Sequence, residues 1–331
     1  MFTSRKTKIA AIFTAGALAL AGCSSDDGGN GASGNGGSDG DSYKIGINQL
    51  VQHPALDSAT TGFKEAFEEA GVDVEFDEQN ANGEQSTALT IAQQFASADL
   101  DLVLSVATPA AQATAQNIQD TPVLFTAVTD PVSADLIDSM EEPGANVTGT
   151  SDVAPVDQQF DLLKELVPDA KKVGIVYASG EVNSQVQVDD AKEAAESRDL
   201  EIETQTVTNV TEIPQAVQAL GDVDAFYVPT DNLVVSGIAS LVQAAESSKT
   251  PVIGAEAGTV EGGAVATLGI DYTELGRQTG EMALRILRDG EDPATTAVET
   301  AKEFTYMVNE DAAERQGVTI PEAILSEAET V

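Results

Sequence analysis

The chain has 331 residues, 42% of them hydrophobic, which is enough for one or two cores. Acidic residues outnumber basic ones 55 to 16, and the net charge of −39 excludes nucleic acid as a partner, because phosphates need Lys and Arg. One Cys and one His exclude an internal disulfide, a Cys-rich metal site and a His cluster, and the absence of Trp argues against a Trp-lined sugar platform, so neither metal nor cofactor is expected.

Residues 1–22 read as an export signal. Arg5, Lys6 and Lys8 give a positive start, and Ile9–Leu20 is apolar but shorter than the ~20 residues a membrane-spanning helix needs. The run ends Leu20-Ala21-Gly22-Cys23, which resembles the bacterial lipobox, small residues followed by a Cys whose thiol takes lipid. Because the single Cys falls at this place, lipidation is favoured over an ordinary signal with a chance Cys. Residues 23–42 continue in Ser, Gly, Asn and Asp, too polar to bury a core, and read as a flexible tether. Gly29–Gly34 matches a dinucleotide-binding glycine pattern by letter only, since neither a strand nor a helix flanks it.

From Tyr43 the pattern alternates. Lys44–Gln49 predicts a strand, Ala55–Ala70 an amphipathic helix with Phe63 and Phe67 at i, i+4, Val72–Phe76 a strand and Glu84–Ala98 a helix. Leu102–Val106 and Val123–Ala127 are apolar runs of strand length. They lead into Thr108-Pro109 and Asp130-Pro131, each the pattern of a capped helix start. Asn146–Ser151 is a further strand. The rhythm then restarts, with helices at Phe160–Leu166, Ser184–Ser197, Ile213–Leu220 and Leu233–Ala245 between strands at Lys172–Tyr177, Glu201–Val207, Ala225–Val228 and Pro251–Gly254. Val265–Ile270 predicts a crossing strand, Thr273–Arg288 a helix, Phe304–Val308 a strand and Glu310–Gln316 a last helix.

The expected fold is therefore α/β, with two doubly wound parallel-sheet lobes of about a hundred residues each and a three-crossing hinge. Residues 43–150 plus 268–292 are expected in the first lobe and 151–267 plus 293–331 in the second. In open parallel sheets ligands bind outside the carboxyl ends of the strands, where helix N-termini offer free N–H groups to an anion. The backbone at Thr108, Pro109, Ala110 and Ala111 is thus the expected carboxylate site. Asn183-Ser184, Asp231-Asn232 and Glu256 end strands of the second lobe in polar groups and would face that site across a cleft. A ligand ammonium would want Asp130, Asp231 or Glu256, and Asp231 leads because Asp130 is already explained as a cap. Gln49, His53 and Thr129, at strand ends, complete the candidate set. A free amino acid presents this pair of charges. An enzyme is not expected, since the chain has no Gly-x-Ser-x-Gly elbow and no phosphate-binding Gly-Lys-Ser/Thr loop.

Seven segments extend this reading. They are Gly46-Ile47 with His53-Pro54-Ala55-Leu56-Asp57, Ala107–Gln112 (ATPAAQ), Pro122–Pro131 (PVLFTAVTDP), Asn146–Ser151 (NVTGTS), Glu181–Val188 (EVNSQVQV), Tyr227–Asn232 (YVPTDN) and Gly269–Gly276 (GIDYTELG). In this order the chain resembles the solute-binding lipoproteins of bacterial ABC importers, and among type I periplasmic-binding folds the TrpX-like binders of aromatic amino acids. The resemblance implies a monomer without cofactor that holds one small ligand between its lobes. It implies delivery to a permease driven by an ATPase, from a lipid anchor on Cys23 at the outer face of the cell membrane. The expected cargo is Trp, Phe or Tyr. A ligand-sensing receptor of the same fold, or a binder of another small solute, is the alternative.

Overall fold

Strands and helices, alternating for most of the chain, make up residues 42–331, the part that the computed structural model describes; Cys23, the leader and the tether as far as Asp41 lie outside it. The first half runs β1 (Ser42–Gln49), α1 (Pro54–Glu69), β2 (Asp73–Asn80), α2 (Gln85–Phe95), β3 (Leu102–Val106), α3 (Thr108–Asn117), β4 (Val123–Thr126) and β5 (Val147–Ser151). Then come α4 (Val156–Leu166), β6 (Lys172–Ala178), α5 (Val182–Glu196), β7 (Glu201–Val207), α6 (Ile213–Leu220) and β8 (Ala225–Val228). These are followed by α7 (Asn232–Ser236), α8 (Ile238–Ser248), β9 (Val252–Gly254), α9 (Ala257–Glu261) and β10 (Ala266–Gly269). The chain closes with α10 (Tyr272–Leu284), β11 (Glu299–Thr300), β12 (Thr305–Val308), α11 (Glu310–Gln316), α12 (Glu322–Leu325) and β13 (Glu329–Thr330).

The strands form two sheets, β11-β5-β4-β3-β1-β2 and β13-β12-β10-β9-β8-β6-β7. Every pairing is parallel except β10 with β12. Parallel strands must be covered on both faces, and the continuous apolar runs at Leu102–Val106 and Ala225–Val228 are buried accordingly. Each sheet has a core on either face. Phe63, Leu104 and Met282 lie on one side of the first sheet and Phe95, Phe125 and Ile118 on the other. The second sheet is flanked by Phe160 and Tyr227 on one side and by Phe226 and Leu241 on the other.

Helices α1 and α10 approach closely, and glycine permits it. A Cβ on Gly62 would lie 1.9 Å from the Thr273 carbonyl oxygen, and one on Gly276 would lie 1.9 Å from that of Ala59. The chain passes between the sheets three times, at residues 152–155, 270–271 and 301–304. The third passage comes later than expected. Glu299 and Thr300 pair with Thr150 and Ser151 of β5, so residues 293–300 remain with the first sheet, and Leu268-Gly269 belong to β10 of the second.

Two predicted helices differ. Asp130-Pro131 starts no helix; residues 131–135 form turns. Asp135 there is left-handed (φ 56°), which α-helix excludes, while Asp130 accepts from the N–H groups of Val132 and Ser133. Leu233–Ala245 is divided at Gly237, which closes α7 before α8 begins.

Candidate ligand-binding site

The carboxyl ends of both sheets meet between the lobes. In each sheet the strand order reverses beside its first strand, next to β1 and next to β6, and such switch points open crevices. An open cleft of about 570 Å³ lies there, lined by Leu50, Val51 and Pro109 from the first lobe and by Ala178, Gly180, Glu181 and Leu233 from the second. Deeper, toward the hinge, the lobes leave a small cavity of about 10 Å³, room for about one water. Its walls are His53, Leu56, Ala127 and Thr129 from the first lobe, Asn183, Thr230, Asp231, Asn232, Val235 and Glu256 from the second, and Asp152 and Tyr272 from the crossings. Asn232 borders both spaces. The lobes touch across them, with the Thr129 and Thr230 hydroxyls 3.3 Å apart and Gln85 Nε2 donating to the Gly180 carbonyl at 3.0 Å.

Asp152 is the centre of the cavity. It is 4% exposed and sits on the first crossing. Thr129 Oγ1 donates to its Oδ1 at 2.9 Å, and Tyr272 Oη, from the start of α10 on the second crossing, donates to its Oδ2 at 2.8 Å. Burial pushes its pKa up, and these two hydrogen bonds oppose the shift. Glu256 caps α9 by accepting from Gly258 N–H at 2.8 Å, while its Oε1, buried, has no hydrogen-bond partner among the described residues. Burial raises Glu256 to about 7, and the charges of Glu261 and Asp152 add to the shift. His53 carries no compensating charge, because burial lowers it to about 4. No Lys or Arg lines the cavity. The result is a group of desolvated carboxylates without a cation, which is costly unless a positive group completes it.

Six of the thirteen expected ligand residues border the cavity: His53, Thr129, Asn183, Asp231, Asn232 and Glu256. Asp231 is there as a cap, however. Its Oδ1 accepts from Val234 N–H at 2.8 Å and its Oδ2 from Ala178 N–H at 2.5 Å, so its oxygens are committed within its own lobe. Pro109 lines only the open cleft, and Thr108 and Ala110 border neither space. Nor is Thr108 a cap; the left-handed Ala107 (φ 80°) precedes α3, and the buried Thr108 hydroxyl is without a partner. Asp130 is spent on its own turn, with Ser133 Oγ at 2.5 Å from its Oδ2. Gln49 is bound to Asp57 and Thr60 beneath α1, and Ser184 lies beside Asp231 rather than on the cavity.

Asp152, Tyr272, Thr230, Leu56, Ala127 and Val235 were not among the expected ligand residues. Asp152 follows the strand expected at Asn146–Ser151 and Tyr272 follows the crossing strand expected at Val265–Ile270; that these positions become walls is decided only when the lobes face each other.

Residues 44–331 match the model of a family described as ABC transporter substrate binding protein. A tyrosine-binding protein of Clostridioides difficile is 41% identical over 316 residues, 93% of this chain and 91% of that one. An ABC domain from Streptococcus pneumonia solved in complex with L-Trp is 39% identical and superposes with a TM-score of 0.85, over 88% of this chain and 100% of that one. The ligand-free, open structure of a substrate-binding protein with adhesive properties from Clostridium difficile is 43% identical, over 87% of this chain and 99% of that one, yet its TM-score is 0.68. The poorer superposition thus belongs to the more identical chain. The structure described here therefore superposes better on the tryptophan complex than on the open, ligand-free structure.

Proposed function

Because the chain belongs to the ABC transporter substrate-binding protein family, matched over residues 44–331, we propose that it captures an aromatic amino acid between its lobes and delivers it to a permease. The observation that carries this reading is the carboxylate group formed by Asp152 and Glu256 in a cavity without Lys or Arg, with one Glu256 oxygen still unpartnered. An ammonium group is the cation that completes it. Leu56, Ala127 and Val235 supply the apolar wall for a side chain. The tyrosine-binding relative and the tryptophan-bound neighbour support an aromatic one.

No chemical step is needed. Closing the lobes around the ligand joins Thr129, Asp152 and Tyr272 to it across the hinge, and reopening at the permease releases it. A signalling receptor would need the same clamp, but the family match favours transport. Cys23 takes lipid in this reading and holds the protein at the outer face of the membrane; among the described residues no helix is long and apolar enough to cross it.

The test is a thermal-shift screen of the twenty amino acids on protein beginning at Ser42. Ligand at 100 times its Kd stabilises the native state by about 2.7 kcal/mol. Tyr, Trp or Phe should raise the melting temperature most; sugars or short peptides doing so instead would refute the cargo.

A further inference from the structure

Beside the cavity, on the second lobe, lies a buried carboxylate that touches two of its walls. Glu181, 8% exposed, precedes α5. Its Oε2 accepts from Asn183 Nδ2 at 3.1 Å, from Asn232 Nδ2 at 2.5 Å and from Asn232 N–H at 3.2 Å, and its Oε1 accepts from Leu233 N–H at 3.1 Å. Asn183 Nδ2 also donates to the Thr230 carbonyl at 2.9 Å. With both amide protons taken by acceptors, the amino end of Asn183 is fixed away from the cavity. Its Oδ1 is left buried without a partner, on a residue that is 3% exposed and lines the cavity. Asn232 is turned in the same way, and its side chain meets His53 of the first lobe.

We propose that Glu181 is a positioning residue that sets the polarity of this wall: all four contacts to its oxygens come from N–H donors, so it draws both amide NH₂ groups to itself and presents their carbonyl oxygens to the ligand. The wall then selects a donor, and it rejects a ligand that lacks the amine by leaving Asn183 Oδ1 buried and unpaired. This rests on the ammonium reading above and goes further, since it assigns part of the selectivity to a residue that need not touch the ligand. Nothing in the bonding of Asn183 alone would decide which end faces the cavity; an amide has both a donor and an acceptor end.

The test compares L-tyrosine with 3-(4-hydroxyphenyl)propanoate, and L-tryptophan with indole-3-propanoate, by calorimetry at pH 8. The wild type should prefer the amine-bearing member by about 100-fold or more, from the lost charge pair and the orphaned acceptor together. Glu181→Gln puts a donor where only acceptors stood, frees the amides to turn, and should cut that preference to about tenfold. Asn183→Ala removes the acceptor itself and should lower the preference in the same direction, which keeps the inference testable if circular dichroism shows E181Q unfolded. A purely structural role would weaken both members of a pair by one factor. An unchanged ratio in E181Q, or in N183A if E181Q does not fold, overturns the inference while the ammonium reading stands. A wild-type ratio near one overturns both.

Discussion

Replacing Asp152 by Asn separates what this carboxylate does for the ligand from what it does for the fold. In the free protein the charge is a burden, since burial raises the pKa and only the Thr129 and Tyr272 hydroxyls offset it. Asn has the same shape and keeps one acceptor oxygen; its amide can donate to one of those hydroxyls, and Thr129 can then donate to Thr230, 3.3 Å away. The melting temperature of free D152N should therefore stay within about 2 °C of wild type or rise, because a desolvated charge has been removed. The ligand loses a charge partner. Truncating one member of a buried hydrogen-bonded charge pair costs about 2–5 kcal/mol, and the lower half applies because Glu256 remains in the cavity. About 2–3 kcal/mol corresponds to a Kd raised roughly 30- to 150-fold. Calorimetry with L-tyrosine at pH 7.5 reads the affinity, and differential scanning fluorimetry reads the stability. A Kd within about threefold of wild type, or affinity and stability falling together, would refute the assignment.

Three further outcomes are expected. Glu256 is held at about 7 when the fold is free of ligand, above its unfolded value, so its contribution to stability is complete below the unfolded pKa and is lost as pH rises through about 7. Between pH 5 and pH 8 the wild type should lose up to about 3 kcal/mol relative to Glu256→Gln in urea unfolding, and tyrosine binding at pH 7 should release protons, read as a dependence of the calorimetric heat on the buffer; a wild-type advantage that grows with pH would contradict the sign. Gly276→Ala forces a Cβ to within 1.9 Å of the Ala59 carbonyl oxygen and should lower the melting temperature by roughly 5 °C or more, as overpacking between helices does; no change would mean that α1 and α10 can separate freely. Cys23→Ser should move the protein from the membrane fraction to the soluble one in cell fractionation, and retention would argue against a lipid anchor.

The parts of the molecule that follow from local pattern were legible. Short apolar runs bounded by turn residues locate the strands, their alternation with helices makes both sheets mainly parallel, and a chain that leaves a lobe and returns must cross more than once. Acidic and amide residues at strand ends were legible as site candidates because parallel sheets place those ends together. Their roles were less so. Asp231 and Asp130 look alike in sequence, each an acid after a strand, but the first caps α7 and the second closes its own turn, and nearby N–H groups take oxygens of both. Glu256 caps as well, but one of its oxygens stays free. Which acid is left over depends on side-chain rotamers and neighbouring backbone, and no spacing encodes that. Asp152 gave no local signal, because its burial comes from two lobes closing on a crossing strand. The β11 pairing involves two residues on a strand edge, too short for a pattern. The helix expected after Asp130 failed because its cap pattern matches a turn equally well until Asp135 takes a left-handed backbone.

The most direct measurement is a crystal structure of residues 42–331 grown with L-tyrosine. The account predicts the amine nitrogen within about 3.2 Å of an Asp152 or Glu256 oxygen, with the ring against Leu56, Ala127 or Val235. An amine held elsewhere, with Asp152 and Glu256 making no contact to the ligand, would contradict it.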